Sequence, residues 1–172
     1  IAAPPIHSIH SMPTIIKQIL KERPRLRVSL QSLSTLELVE LVRSEVVDVG
    51  FTFGPIAEAG LTVEPIFESH LCCFIPRDHP LASRKRITAE DLEGHSLVAL
   101  SAATPSGLAV RGALESRNIQ FPQIETNSAP AAVEIVRAIG GVALLDPIPV
   151  LDRRERDIVV RPFDPEIKMT AF

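Results

Sequence analysis

Apolar residues recur at helical spacing early in the chain. In "MPTIIKQILKER", Met12, Ile15, Ile16, Ile19 and Leu20 fall at i, i+3, i+4, i+7 and i+8, which predicts a helix with one apolar stripe. Ser11 stands where an N-cap belongs, Pro13 lies in the first turn, and Pro24 stops the helix. "LRVSLQS" then alternates, with Leu26, Val28 and Leu30 on one face and Arg27, Ser29 and Gln31 on the other, as a strand does. Ser34 caps a second helix, Glu37 completes a capping box, and Leu38, Val39 and Val42 form the inner stripe. "VVDVGFTF" follows as a β-branched and aromatic strand. The opening third therefore reads β-α-β-α-β, the signature of a mostly parallel sheet covered by helices.

The middle of the chain changes style. "LTVEPIFES" and "HLCCFIP" read as consecutive strands, and "RDHPLASRKR" as a polar, proline-containing crossing segment. "TAEDLEG" predicts a short capped helix and "HSLVAL" a strand. "TPSGLAVRGALESRN" predicts a helix whose start is softened by glycine. "QIET", "APAAVEIVRAIGG" and "VALLD" then give strand, helix and strand, a second β-α-β-α-β run. "IPVLDRRER" reads as helical, and "DIVVRPF" and "IKMTAF" as strands.

Composition narrows the function classes. The 172 residues suit one large domain or two small lobes. A net charge of -3 and the absence of Trp and Tyr argue against this chain gripping nucleic acid by itself. Cys72 and Cys73 are adjacent, so in a strand their side chains leave on opposite faces and cannot bridge each other. That favours a reducing, cytoplasmic setting. No run is long enough to span a membrane. The chain begins "IAAPP" without Met and ends "KMTAF" inside a predicted strand, which reads as a piece of a longer protein.

Catalytic and metal chemistry find little support. "TPSGLA" lacks the G-x-S-x-G elbow, and Cys73 has no partner signature. His7 and His10 are three apart, while His70, His79 and His95 are scattered, so no metal-ligand spacing appears. No glycine-rich phosphate cradle is present, and no cofactor or catalytic residue is expected. "RDHPLASRKR" and "DRRERD" read as solvated surfaces. What stands out is a set of small polar residues at predicted helix starts: Ser34 and Thr35; Thr104 and Ser106 after Ser101; Asn127 and Ser128. The "PPIHS" segment precedes the first helix in the same way. Helix N-termini offer free N–H groups and partial positive charge, which suit carboxylate ligands. Each is also an ordinary cap when taken alone.

The order of these segments resembles the effector-binding domain of LysR-type transcriptional regulators. The features that carry the resemblance are Pro13 opening the first helix, Pro24 with Val28, Leu38 with Leu41, and Asp48 with Gly50. "CFIPRDHPLASRKRITAEDLEGHSLVAL" resembles the family's crossover, and "EIVRAIGGVALLDP" resembles its late glycine-containing segment. The resemblance implies an α/β chain of two Rossmann-like lobes joined by crossing strands, a type 2 periplasmic-binding-protein fold. Residues 1–74 would form lobe I, residues 75–147 lobe II, and residues 148–172 a return to lobe I with an incomplete C-terminus. An N-terminal winged helix-turn-helix, through which alone DNA would be bound, lies outside this chain. The resemblance also implies a homodimer, a tetramer at full length, and a small-molecule effector held between the lobes.

Carried over by position, the effector site would comprise Pro4, Pro5, Ile6 and His7, which are taken as the loop after the first strand, then Ser34 and Thr35. Phe53 and Gly54 would follow, and the second lobe would add Ser101, Ala102, Thr104, Asn127, Ser128 and Ala129. The two prolines and Ile6 depart from the family's hydroxyl-bearing first loop and weaken polar recognition there. In "GGVALLDP", Asp146 sits at the mouth of a buried strand, where an uncompensated carboxylate is costly. It could pair with a cationic group on the effector, making that effector an amino acid, an opine or another organic acid. It could equally cap a helix beginning at Pro147 or Ile148. A stand-alone solute-binding protein of an uptake system remains the alternative, and an enzyme on this fold would need an acid–base pair that the sequence does not display.

Overall fold

Two residues with wholly buried small side chains, Ala2–Ala3, form the first strand, β1. Pro5 then opens a helix, α1, over Pro5–His10, its fixed φ suiting the first helical position. The computed structural model describes residues 1–56, 59–117, 119, 124–147 and 157–172. These residues group into two compact units, Ile1–Phe67 with Thr170–Phe172, and Glu68–Met169.

In the first unit, α1 runs directly into α2, Met12–Glu22. Pro5 to Ser8 of "PPIHS" are therefore helical, not a loop, with Pro4 as the N-cap. Ser11 at the junction has φ −93° and ψ −49°, inside the right-handed helical region, and its side chain caps nothing. A capping residue needs extended backbone, and the preceding helix denies Ser11 that conformation. The expected inner stripe of α2 is mostly at the surface: Met12 is buried, Ile16 and Ile19 are half-buried, and Ile15 and Leu20 are exposed. Of "LRVSLQS", only Gln31–Ser32 forms a strand, β2, pairing in parallel with the two residues of β1. A two-residue partner supports no longer ladder. Ser34 forms the expected capping box: its N–H donates to Glu37 Oε2 at 3.0 Å, and Glu37 N–H donates back to its Oγ at 3.3 Å. The helix it opens, α3, covers Thr35–Arg43. Leu38 packs with Ala2 and Val47 as a small core, with Val39 and Val42 against it.

"VVDVGFTF" forms no continuous strand; Gly50 bridges Ala2 and Phe53 bridges Ala171. Gly50 is required at that bridge, because a Cβ there would strike Leu38 and Val42. Phe67–His70 forms β3, and the boundary between the units falls within it.

The second unit begins with β4, Cys72–Pro76, followed by a 3-10 turn at Pro80–Ser83 and β5, Ile87–Thr88. The short capped helix expected in "TAEDLEG" is one 3-10 turn, Glu90–Leu92, braced by reciprocal bonds between Thr88 and Asp91. Then come β6, Leu97–Leu100; α4, Pro105–Glu115; β7, Ile124–Thr126; α5, Ala129–Ile139; and β8, Val142–Leu145. The expected helix in "IPVLDRRER" lies outside the described residues. Ile158–Asp164 is β9, and Lys168–Ala171 is β10, which pairs with β3. The six-stranded order is β5-β9-β4-β8-β6-β7. Within it β8, β6 and β7 run parallel, and β4 lies antiparallel to β8 and β9. Phe74, Val98, Leu100, Ala143 and Leu145 pack from the strands against Ala132, Val133 and Val136 of α5. This pairing places β9 in the second unit, and the two units divide near residues 67 and 169. As the alternation requires, Cys73 is buried and Cys72 half-buried.

Two local features expose the fold to direct test. Gly107 of α4 lies against the carbonyl oxygens of Leu100 and Ser101, where a Cβ would collide with main chain. Gly107→Ala should destabilise the second unit by about 1–3 kcal/mol, the usual cost of overpacking, as read from urea unfolding. Wild-type stability in that variant would contradict the close approach. In the first unit His7 is fully buried, its ring 4.5 Å edge-on from Phe51 and 5.0 Å from Phe53. Burial first, and the nearby His10 second, lower its pKa from 6.5 to about 4. The unfolded chain therefore takes up this proton first on acidification. The stability His7 confers is complete above about pH 6.5 and disappears as pH falls to about 4. Between pH 7 and 4.5 the native chain should lose roughly 2–3 kcal/mol more than His7→Leu. Equal losses in the two proteins would refute this.

Candidate functional site

Parallel pairing of β8, β6 and β7 brings their carboxyl ends to one edge of the second unit, and α4 and α5 start from that edge. Ser101 N–H donates to Thr126 O at 2.8 Å, tying the two strand ends together. Thr104 is the N-cap of α4: Gly107 N–H donates to its Oγ1 at 3.0 Å, and that hydroxyl donates to Ser101 O at 2.8 Å. Ser128 is the N-cap of α5, its Oγ accepting from Ala131 N–H at 3.4 Å. Thr126 Oγ1 accepts from Ser128 N–H at 3.2 Å. Ser101 Oγ accepts from Ala103 N–H at 3.3 Å. Pro105 and Pro130 contribute no N–H to the first turns. Among the described residues, the first-turn N–H groups of Ser106 and Ala129 have no acceptor. They carry the positive ends of two eleven-residue helices. Asn127 is exposed and Ala102 half-buried on the same edge.

Asp146 follows β8 and is only 5% exposed. Cys72 stands opposite Leu145 across the β4–β8 pair. Its thiol is pushed up by burial and, second, by the Asp146 carboxylate, which places that charge beside it. Any helix that Asp146 would cap begins at residues outside those described. The second unit therefore collects Ser101, Ala102, Thr104, Asn127, Ser128, Ala129 and Asp146 around one sheet edge.

The first unit offers a different surface. Pro4 and Pro5 are half-buried and have no N–H to donate, Ile6 is buried, and His7 is closed off from solvent. Ser34 Oγ is committed to Glu37. Thr35 Oγ1 lies 2.8 Å from Thr52 Oγ1. Phe53 is buried, and Gly54 packs so closely on Phe172 that a Cβ would enter its ring. His7 Nδ1 lies 3.4 Å from Ser11 Oγ, and Nε2 has no hydrogen-bond partner among the described residues. Sequence reasoning missed Thr52, Phe51 and Phe67 here, and Cys72 in the second unit. The lone hydroxyl within "VGFTF" and the Phe repeat around it were the available signals.

Among the described residues, no group of three or more His, Cys, Asp or Glu side chains could hold a metal ion. No helix among them is long and apolar enough to cross a membrane.

Comparison with known proteins places these features in a family. Regulatory protein NocR of Agrobacterium tumefaciens is 28% identical over 157 residues, 91% of this chain and 52% of NocR. The octopine catabolism/uptake operon regulatory protein OccR of Rhizobium meliloti is 29% identical over 163 residues, 95% of this chain and 54% of OccR. The chain thus spans about half the length of these relatives. The reduced OxyR regulatory domain from Pseudomonas aeruginosa superposes with a TM-score of 0.84 at 24% identity, covering 99% of this chain and 84% of that domain. The effector binding domain of QuiR in complex with shikimate gives 0.80 at 17% identity, covering 99% and 83%. The fold is the periplasmic-binding-protein-like α/β fold of these regulatory domains. With the LysR substrate binding domain family matching residues 1–172, the chain belongs to that family.

Proposed function

We propose that this chain is the ligand-sensing part of a LysR-type transcriptional regulator, and that it binds a small amino-acid-like carboxylate. One observation carries the reading: the unspent N–H groups at the starts of α4 and α5, together with the buried Asp146, converge on one edge of three parallel strands. In open α/β sheets ligands bind beyond the carboxyl ends of the strands. The effector's carboxylate is received by Ser106 N–H and Ala129 N–H, with Ser101, Thr104, Asn127 and Ser128 beside them. Its ammonium or guanidinium pairs with Asp146. Ala102 lies half-buried on the same edge.

The names of the relatives support this ligand class. OccR is named for octopine, an amino-acid conjugate, and QuiR is held with shikimate, a hydroxylated carboxylic acid. NocR and OccR are regulatory proteins, which favours a regulator over an uptake-system binding protein. In the full-length protein, effector binding shifts the packing of subunits in a cytoplasmic dimer or tetramer. That changes how an N-terminal helix-turn-helix meets DNA. The chain itself performs no catalysis in this scheme.

A thermal-shift screen of amino acids, opines and other organic acids tests the proposal. A binder at 100 times its Kd stabilises the chain by about 2.7 kcal/mol and raises Tm accordingly. Asp146→Asn should weaken a cationic effector about tenfold or more, because a charge-assisted pair at a buried site is lost. A screen with no binder, or unchanged affinity in Asp146→Asn, would overturn it.

A further inference from the structure

The net charge of -3 is an average that conceals a segregation. Residues 17–27 hold Lys17, Lys21, Arg23, Arg25 and Arg27 against one carboxylate, Glu22. That is a surplus of four positive charges in one stretch, all of it within the first unit. The five cationic residues are exposed, and none has an ion pair among the described residues. Other arginines are placed differently: Arg43, Arg84, Arg86, Arg111, Arg117 and Arg137 each face a carboxylate. Local backbone geometry keeps the five together. Lys17 and Lys21 lie at i and i+4 on one side of α2, about 6 Å apart along its axis. Pro24 stops the helix, and Leu26 N–H donates to Arg23 O at 3.0 Å. The chain therefore turns as α2 ends and holds Arg23, Arg25 and Arg27 beside that end.

Such a strip suits a partner with dense, fixed negative charge. Duplex DNA carries one charge for about every 1.7 Å of its axis. A second copy of this chain offers less, because Glu40, Asp91, Glu125, Glu134, Asp157 and Asp164 already face arginines. Residues 17–27 contain no aromatic ring to stack on a base, which leaves the phosphates as the group to be met. We propose that residues 17–27 form an accessory contact for DNA phosphates, one that supports a regulator whose sequence reading is done elsewhere in the full-length protein. Phosphate contacts position a protein on the duplex and carry no sequence information. The proposal goes beyond the effector reading and shares no residue with that candidate site.

Fluorescence anisotropy of a labelled 25-base-pair duplex, titrated with this chain at several salt concentrations, tests it. Each phosphate neutralised contributes about -0.9 to the slope of log K against log salt, so four contacts give a slope of about -3 to -4. Two duplexes of unrelated sequence should bind alike within twofold. Lys17→Gln, Lys21→Gln, Arg25→Gln and Arg27→Gln combined should abolish binding at 50 mM salt, with an unchanged melting profile. Lys85→Gln with Lys168→Gln, which removes exposed charge from the second unit, should leave the slope in place. Arg25→Lys with Arg27→Lys keeps the charge and should keep affinity within about threefold, whatever the folding of the fourfold variant. No binding at 50 mM salt, a slope shallower than -1, or binding that survives the fourfold neutralisation overturns the proposal. So does self-association, seen by sedimentation, that needs these four residues while the duplex stays free, since the strip then belongs to a second copy.

Discussion

Parallel strand pairing is the constraint from which the candidate site follows. A parallel neighbour can be reached only by crossing back over the sheet, and here the crossings are α4 between β6 and β7 and α5 between β7 and β8. Each helix must therefore start at the edge where the preceding strand ends. The unsatisfied N–H groups of both helices gather there whether or not a ligand is present. Selection then acts on a few side chains at that edge. Thr104 and Ser128 each satisfy one donor, prolines remove another, and one N–H per helix is left over among the described residues.

The same geometry puts close packing at the edge where these helices start. Gly107 lets the first turn of α4 sit directly on the carbonyls at the end of β6, which fixes where the helix points. α5 is anchored from the other side by Ala132, Val133 and Val136 on the sheet, and it ends at Gly140 in the left-handed conformation, with φ 67°. A helix held at its base and along its inner face keeps its N-terminus in place without help from a bound molecule.

What the sequence revealed depended on how local each signal was. The capping box of Ser34 and Glu37 is complete within four residues, and it formed as read. The second β-α-β-α-β run was legible because each helix is long enough to show its period and each strand is a short apolar run. The first unit was harder. "LRVSLQS" alternates like a strand, but a strand needs a partner, and β1 supplies only two residues. "PPIHS" carries two prolines that suit a loop or a helix start, and only the tertiary position of Pro5 decides between them. The candidate residues with a capping role, Ser34, Thr104 and Ser128, could be found from sequence. Thr52, Phe51 and Phe67 could not, because their meeting with Thr35 and His7 is made by the sheet.

The side-by-side thiols have a consequence for redox behaviour. Cys73 is buried in the sheet and its thiol is driven upward by that burial, while Cys72 is raised by its own covering and by the charge of Asp146. Thiolate is the form that attacks peroxides and disulfides, and neither sulfur is inclined to become one at neutral pH. Pointing to opposite faces, the pair cannot close on itself either. Burial and the neighbouring carboxylate therefore hold both sulfurs in the less reactive thiol form.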